Sequence, residues 1–262
     1  MKIDPIKLAK NIEKAVIREE DGIFYRKYWR FRGGRWYGGI ATADCVGCNL
    51  ACVFCGPITF MEEKGIKGKF YDPTHVARKL KQIAYSRKYK YLRVSGGEPT
   101  IGFKHLMQVI ENVSDFPGTF IVETNGILIG WNKSLAEALS DFHNIHVRVS
   151  IKGTNEEEFE RLTLADRRFF RYQLMALKNL LDANVSFHPA IVASFSEQKG
   201  INELKEMLRE IDPSLPDALE IEYIVLYPHV IKRLKMFRIY PKRAYTTNWE
   251  LIGEEEFRLL YL

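Results

Sequence analysis

All four cysteines of this 262-residue chain fall within eleven residues, Cys45-Val46-Gly47-Cys48-Asn49-Leu50-Ala51-Cys52-Val53-Phe54-Cys55. Thiols this dense make either a disulfide staple or a metal site, and the redox compartment decides between the two. Residues 1–20 are charged and amphipathic rather than a leader with an apolar centre, and no apolar run long enough to span a bilayer occurs. The sequence therefore predicts a cytoplasmic protein, without membrane association, whose thiols stay reduced and open to a soft metal.

Two spacings can be read in the run. Cys48-x3-Cys52-x2-Cys55 supplies three thiolates and leaves Cys45 over, whereas all four cysteines together read C-x2-C-x3-C-x2-C. Three thiolates hold three irons of a [4Fe-4S] cluster and leave the fourth iron open, while four close the site. The competing metal is structural zinc, which usually takes two C-x2-C pairs a dozen or more residues apart. Only three residues separate the pairs here.

Cys48-Asn49-Leu50-Ala51-Cys52-Val53-Phe54-Cys55 resembles the CxxxCxΦC signature of the radical SAM superfamily, including the aromatic residue before the last cysteine. The remainder of the chain is consistent with the fold this implies. Its 46% hydrophobic content suffices for one α/β domain with a sizeable core and short extensions. The net charge of +6 suggests an anionic partner only weakly, because 27% charged residues is an ordinary fraction.

In chain order, residues 4–20 read as a helix, and Asp21-Gly22 turns the chain into a basic, aromatic stretch, Ile23 to Tyr37, with Gly33-Gly34 as a hairpin signal. Interleaved rings and arginines can stack on bases and hold phosphates, although an amphipathic hairpin with solvated arginines is the plainer reading. From Gly39 onward the pattern alternates strand and helix, with strands at 40–44, 91–95, 120–124, 146–152, 185–193 and 219–227. Such alternation implies a parallel sheet with right-handed crossovers.

The strand faces favour a barrel over a doubly wound sheet. Val147, Val149 and Ile151 alternate with Arg148, Ser150 and Lys152, and Leu92 and Val94 alternate with Arg93 and Ser95. One face thus lies under helices and the other is polar, as in an open barrel around a polar ligand. The expected fold is α/β, a partial (βα)6 TIM-type barrel of parallel strands with short N- and C-terminal extensions. Residues 1–38 form the N-terminal helix and basic aromatic hairpin, 39–228 the barrel, and 229–262 a basic C-terminal extension.

Three strand ends carry candidate site residues at the carboxyl edge, where α/β barrels bind ligands. The second ends in Ser95-Gly96-Gly97-Glu98-Pro99-Thr100, the third in Glu123-Thr124-Asn125-Gly126, and the fourth in Ser150-Ile151-Lys152-Gly153. Gly-Gly lets backbone approach a ligand closely. One strand-helix unit after the cysteine loop, it is similar to the Gly-Gly-Glu-Pro with which the superfamily holds the methionine amino group of S-adenosylmethionine. Thr-Asn-Gly and the compact size most resemble the activating enzymes of glycyl-radical proteins of the pyruvate formate-lyase type. Ser150 departs from the Asp-x-Lys common there, and His229, after Tyr227-Pro228, stands one residue early.

By resemblance, Cys48, Cys52 and Cys55 hold a [4Fe-4S] cluster and S-adenosylmethionine binds its open iron. Gly96, Gly97 and Glu98 meet the methionine amino group, Lys152 its carboxylate, Asn125 and Ser150 the ribose, and Phe54 the adenine. His188 is a further cofactor candidate on the fifth strand, Cys45 is a bystander, and no general acid or base is required. The implied reaction is an oxidoreductase-type radical one, served by an electron donor such as a flavodoxin or ferredoxin. The implied substrate is a protein glycine. An RNA-modifying enzyme is the alternative, suggested by the basic aromatic segments and by residues 224–249, which hold six Lys or Arg and no acid. A non-catalytic iron-sulfur or zinc protein is the alternative of another class.

Overall fold

The computed structural model describes residues 2–56 and 68–262, so the part of the expected barrel at 57–67 lies outside it. The first element is helix α1 (Pro5–Val16), capped by Asp4, whose Oδ1 accepts from the amides of Ile6 and Lys7 at 3.0 Å. Its apolar side, Ala9, Ile12 and Val16, packs on Val46 and Ile101. Gly47 is glycine for this reason: its φ is +90°, and a Cβ would fall 2.5 Å from the Ile12 side chain.

The expected helix to residue 20 ends early, because Ile17–Glu20 forms strand β1 and pairs antiparallel with β2 (Ile23–Gly34). Asp21 (φ 51°) and Gly22 (φ 77°) are both left-handed, the conformation a two-residue hairpin turn requires. The hairpin is therefore β1–β2, and the one expected at Gly33-Gly34 does not form. Strand β2 runs through both glycines, which pair with Ala41 and Ile40 of β3 (Ile40–Cys45), and the chain reverses at 35–39 instead. Gly33 leaves room for the Arg87 side chain, whose Nη1 lies 2.7 Å from where a Cβ would stand.

After β4 (Lys69–Tyr71), which pairs with β2, the alternation begins: α2 (Pro73–Arg87), β5 (Tyr91–Gly96), α3 (Phe103–Asn112), β6 (Thr119–Thr124). The next crossover contains two short helices, α4 (Ile127–Trp131) and α5 (Ser134–Leu139), where the sequence suggested one. Then follow β7 (Ile145–Ile151), α6 (Glu156–Thr163), α7 (Phe170–Asp182), β8 (Phe187–Val192), α8 (Gln198–Ile211), the single turn α9 (Leu215–Ala218) and β9 (Glu220–Glu222). The chain closes with α10 (Pro228–Phe237), a small antiparallel pair β10 (Arg243–Tyr245) and β11 (Leu251–Gly253), and α11 (Glu254–Tyr261).

The six expected strands, β3, β5, β6, β7, β8 and β9, are parallel and adjacent in that order, with β2 and β1 added antiparallel at the β3 edge. This is the α/β partial barrel. The last strand is shorter than its pattern suggested, because the residues after it bond elsewhere: Ile224 N to Ser194 Oγ, and Ile224 O and Leu226 N to Tyr245 of β10. The outward face of the sheet, including Ala43, Val94, Val122, Val147, Val149 and Ile191, is buried under the helices. Each such side chain contributes about 1.5–3 kcal/mol of transfer free energy.

The inward face is polar and also buried. Arg148 is 2% exposed yet meets Glu123 at 3.3 Å, Glu220 at 3.1 Å and Glu222 at 2.7 Å. Arg93 reaches Glu123 at 2.8 Å, and Ser95 donates to the same carboxylate at 3.0 Å. The lower barrel is thus filled by its own ion network.

Candidate active site

β3 delivers Cys45 at its carboxyl end, and the loop that follows is fastened on both sides. The amide of Val46 bonds to Lys27 O at 3.1 Å, that of Ala51 to Thr163 O at 3.2 Å, and that of Val53 to Leu162 O at 2.9 Å. The turn after β5 completes the frame: Gly97 N donates to Cys45 O and Glu98 N to Gly47 O, both at 2.8 Å. A Cβ on Gly97 would sit 2.2 Å from Gly47 O, and Gly96 has a φ of +93°. The two glycines therefore let the turn lie directly on the cysteine loop.

Within this frame the cysteines separate into three and one. Cys48, Cys52 and Cys55 are grouped, and Cys52 and Cys55 are among the neighbours that act on Cys48. Cys45 instead turns to Arg26, a side chain only 1% exposed, whose Nη2 reaches Cys45 Sγ at 3.5 Å, Val46 O at 3.2 Å and Glu98 O at 2.9 Å. Burial raises all four thiols, and Cys55 is pushed up to about 12. The site thus holds thiols or metal-bound thiolates in preference to free thiolates, and loading it with metal releases protons.

The donor set suits an iron-sulfur cluster. Among the described residues no three His, Cys, Asp or Glu side chains converge on the position of a single metal ion. A four-iron cube spreads its thiolates over separate irons, which a looser trio allows. Asn49, 0% exposed and next to Cys48, has an Nδ2 without a hydrogen-bond partner among the described residues, a buried donor that a cluster sulfide would satisfy. Two cations face the trio: Lys152, following β7, and Arg233 of α10 both lower Cys52 and Cys55 against the effect of burial.

The expected residues are distributed unevenly around this centre. Lys152 points inward, its ammonium 2.5 Å from Ser150 Oγ, so these two stand together on the cluster side of the barrel. Phe54 is 7% exposed and packs on Phe195, with ring centroids 5.4 Å apart. His229 contacts the end of the cysteine loop through Nε2 and Gly56 O at 2.5 Å.

Glu98 is engaged within the chain. Its Oε1 accepts from Thr100 N at 3.1 Å and from the hydroxyls of Thr100 and Thr124 at 2.6 Å, and its Oε2 accepts from Asn125 N at 2.8 Å. It is 1% exposed and acts as a clamp between the ends of β5 and β6. Asn125 is likewise engaged, Nδ2 with Asn49 Oδ1 at 2.7 Å and Oδ1 with Ile127 N at 3.1 Å.

His188 belongs to a different layer. It is the second residue of β8, in register with Arg148, and is held between His146 at 2.6 Å and Glu220 at 2.9 Å. That register sets it near the amino end of its strand, away from the carboxyl edge that carries the thiols. Sequence reasoning missed Arg26, Asn49 and the Arg93–Glu123–Arg148 network. It also placed Arg233 in a basic C-terminal extension, whereas the helical apolar spacing of Val230 and Leu234 was the available sign of a packed helix.

Among solved structures, spore photoproduct lyase with bound AdoMet and dinucleoside spore photoproduct superposes with a TM-score of 0.58 at 16% identity, covering 88% of this chain and 74% of that one. TYW1 with a lysine-pyruvate adduct gives 0.53 at 14% identity over 97% of both chains, and SuiB from Streptococcus suis bound to precursor peptide SuiA gives 0.51 at 16%, covering 83% and 60%. At these identities the likeness is one of fold. The chain spans 46–61% of the length of the first structures it matches, and no curated protein sequence matches it. Residues 44–212 match the profile of the radical SAM superfamily, and the chain belongs to that superfamily, with the [4Fe-4S] cluster and S-adenosylmethionine that membership implies.

Proposed function

We propose that this chain is a radical enzyme in which Cys48, Cys52 and Cys55 ligate three irons of the cluster, S-adenosylmethionine occupies the fourth, and the reaction is hydrogen abstraction from a substrate at the carboxyl edge of the barrel. The observation that carries this reading is the division of the cysteines: three thiols, Cys52 buried and Cys48 and Cys55 half-buried, grouped opposite Lys152, with Cys45 turned away to Arg26. Together, when bound, the cluster and S-adenosylmethionine supply a 5′-deoxyadenosyl radical, the difficult part of the chemistry.

The chain's own residues bind, orient and exclude water. Lys152 offers its ammonium to the methionyl carboxylate and offsets the negative charge of the thiolates. Gly96 and Gly97 present backbone at the cofactor, and Phe54 with Phe195 forms an apolar wall for the adenine. Glu98 and Asn125 act at one remove, by fixing the two loops against each other. The buried ion network of Arg93, Glu123 and Arg148 closes the barrel beneath the site, so that the reacting centre is shielded from water on that side.

An electron donor is required, and a flavodoxin or ferredoxin fits the requirement. The Gly-Gly-Glu-Pro and Thr-Asn-Gly segments favour a protein glycine as substrate, by likeness to activating enzymes. The converging basic and aromatic segments favour an RNA. Anaerobic reconstitution with iron and sulfide, reduction and addition of S-adenosylmethionine tests the reading. The expected result is 5′-deoxyadenosine from the wild type and none from Cys52→Ala. An intact, reduced cluster that yields no nucleoside would leave a non-catalytic iron-sulfur protein as the better description. Deuterium transfer from labelled glycyl peptides or RNA then separates the substrate classes.

A further inference from the structure

Three stretches of the chain, 22–43, 73–97 and 223–249, contain none of its 33 Asp and Glu residues, yet carry eighteen of its 39 Lys and Arg. The fold brings one part of each stretch together around Trp36 and Tyr37, at the amino end of the parallel strands, while Arg93 and Arg233 turn to the barrel interior and the cysteines. Trp36 meets Trp249 edge to face with ring centroids 6.4 Å apart, Tyr37 meets Tyr91 at 5.9 Å, and Tyr245 meets Trp249 at 5.9 Å. Arg87 closes over Gly33, and Arg32 Nη1 and the Trp36 ring both lie within 4 Å of where a Cβ on Gly34 would stand.

Core packing does not account for these rings. Trp36 is 48% exposed, Tyr37 40% and Trp249 50%. Two of them also sit on left-handed backbone, Tyr37 at φ 53° and Trp249 at φ 67°, which a bulky residue adopts only at a cost. Trp249 is held there by a tight turn in which Thr246 N bonds to Glu250 O at 2.9 Å and Trp249 N to Thr246 O at 3.0 Å. Strain that turns large rings toward water, rather than into the core, is a sign of contact with something outside the chain.

The charges have one sign. Arg35 and Arg87 are exposed and form no ion pair among the described residues. The nearby acids are already engaged: Asp44 receives Arg30 and Arg32 at 2.7 Å each, and Glu220 receives Arg148, His188 and the Tyr37 hydroxyl. Glu250, exposed, lies at the margin.

We propose that this surface anchors single-stranded nucleic acid, with bases stacked on Trp36 and Trp249 and phosphates met by Arg35 and Arg87. An acidic peptide would match the charge but has no flat face for the two indoles. The anchor stands one strand length from the cysteine loop, about 17 Å along β3 at the usual rise per residue. It therefore holds the polymer apart from the reacting position. Binding here requires neither cluster nor S-adenosylmethionine, so its failure and the failure of the radical reading are separate results.

The test is fluorescence anisotropy of labelled 20-nucleotide single-stranded RNA, the same DNA sequence and a poly-glutamate peptide, each titrated with the full reconstituted chain at 50 and 200 mM salt. The expected result is binding of at least one polynucleotide that weakens about tenfold or more at the higher salt. Trp36→Ala and Trp249→Ala should each weaken it about fivefold or more, Trp36→Phe and Trp249→Phe should largely retain it, and Trp131→Ala, an exposed tryptophan against Tyr172, should leave it unchanged. Circular dichroism melts confirm that each variant is folded. No binding of either polynucleotide at 50 mM salt, or equal binding by the Trp36 and Trp249 variants, overturns the proposal. Tighter binding of poly-glutamate overturns it in favour of an acidic protein partner.

Discussion

Replacing Arg148 with methionine should be among the most damaging single changes in the barrel, and the damage should depend on pH. Arg148 is the shared partner of three carboxylates, Glu123, Glu220 and Glu222. Burial alone would raise Glu123, yet Arg93 and Arg148 together hold it at about 2, against an ordinary 4.5. That difference corresponds to about 3 kcal/mol at 1.36 kcal/mol per tenfold change in ionisation. Methionine fills similar space but leaves Glu222 without its cation and three carboxylates close together, a loss of about 3–5 kcal/mol at pH 7. In the wild type a depressed carboxylate contributes stability fully above 4.5, and that contribution is lost as the pH falls toward 2. In the variant, protonation relieves repulsion over the same range. The gap between the two proteins should therefore be widest at pH 7 and narrow to about 1 kcal/mol near pH 3. Urea denaturation of the metal-free chain by far-UV circular dichroism at both pH values measures it. A gap below about 1 kcal/mol at pH 7, or one that stays constant with pH, would refute the assignment of Arg148 as the hub of the interior.

Gly97→Ala should displace the cysteine loop, because its Cβ would meet Gly47 O at 2.2 Å and neither backbone can yield easily; the cost is about 1–3 kcal/mol, read as a lower melting temperature and reduced iron content. Glu98→Gln keeps the acceptor Oε1 but sets an amide donor against Asn125 N, and should lower stability by about 1–3 kcal/mol; an unchanged urea midpoint would remove its role as a clamp. Lys152→Met should weaken binding of S-adenosylmethionine by about tenfold, of the order of one charge-assisted hydrogen bond, with Lys152→Arg in between, measured by equilibrium dialysis on the iron-loaded protein.

The sequence revealed those parts of the molecule whose signal is local. Cysteine spacing, the Gly-Gly turn one unit later, and period-two alternation in strands such as Val147 to Lys152 are all set by neighbours along the chain. They were enough to identify the α/β barrel and the polar sense of its inner face. What that face does depends on register between strands far apart in sequence. Arg148 and Glu220 are 72 residues apart, and only the pairing of β7, β8 and β9 brings them together. The same long-range pairing makes His188 a member of that network, between His146 and Glu220. Gly33-Gly34 looked like a turn because glycine usually marks one, but here glycine makes room for Arg87 from another element. Glu98 entered as a cofactor residue through its place in Gly-Gly-Glu-Pro, and nothing local indicated that its oxygens would also join Thr124 and Asn125.

The most direct test of the central claim compares wild type, Cys45→Ala and Cys48→Ala by iron content and by electron paramagnetic resonance of the reduced cluster, each with and without S-adenosylmethionine. Three-cysteine ligation with one open iron predicts about four irons per chain in the wild type and in Cys45→Ala, a signal in both that changes on adding the cofactor, and loss of the cluster in Cys48→Ala. A Cys45→Ala protein that cannot hold the cluster, together with a wild-type signal indifferent to S-adenosylmethionine, would mean a closed four-cysteine site and would contradict it.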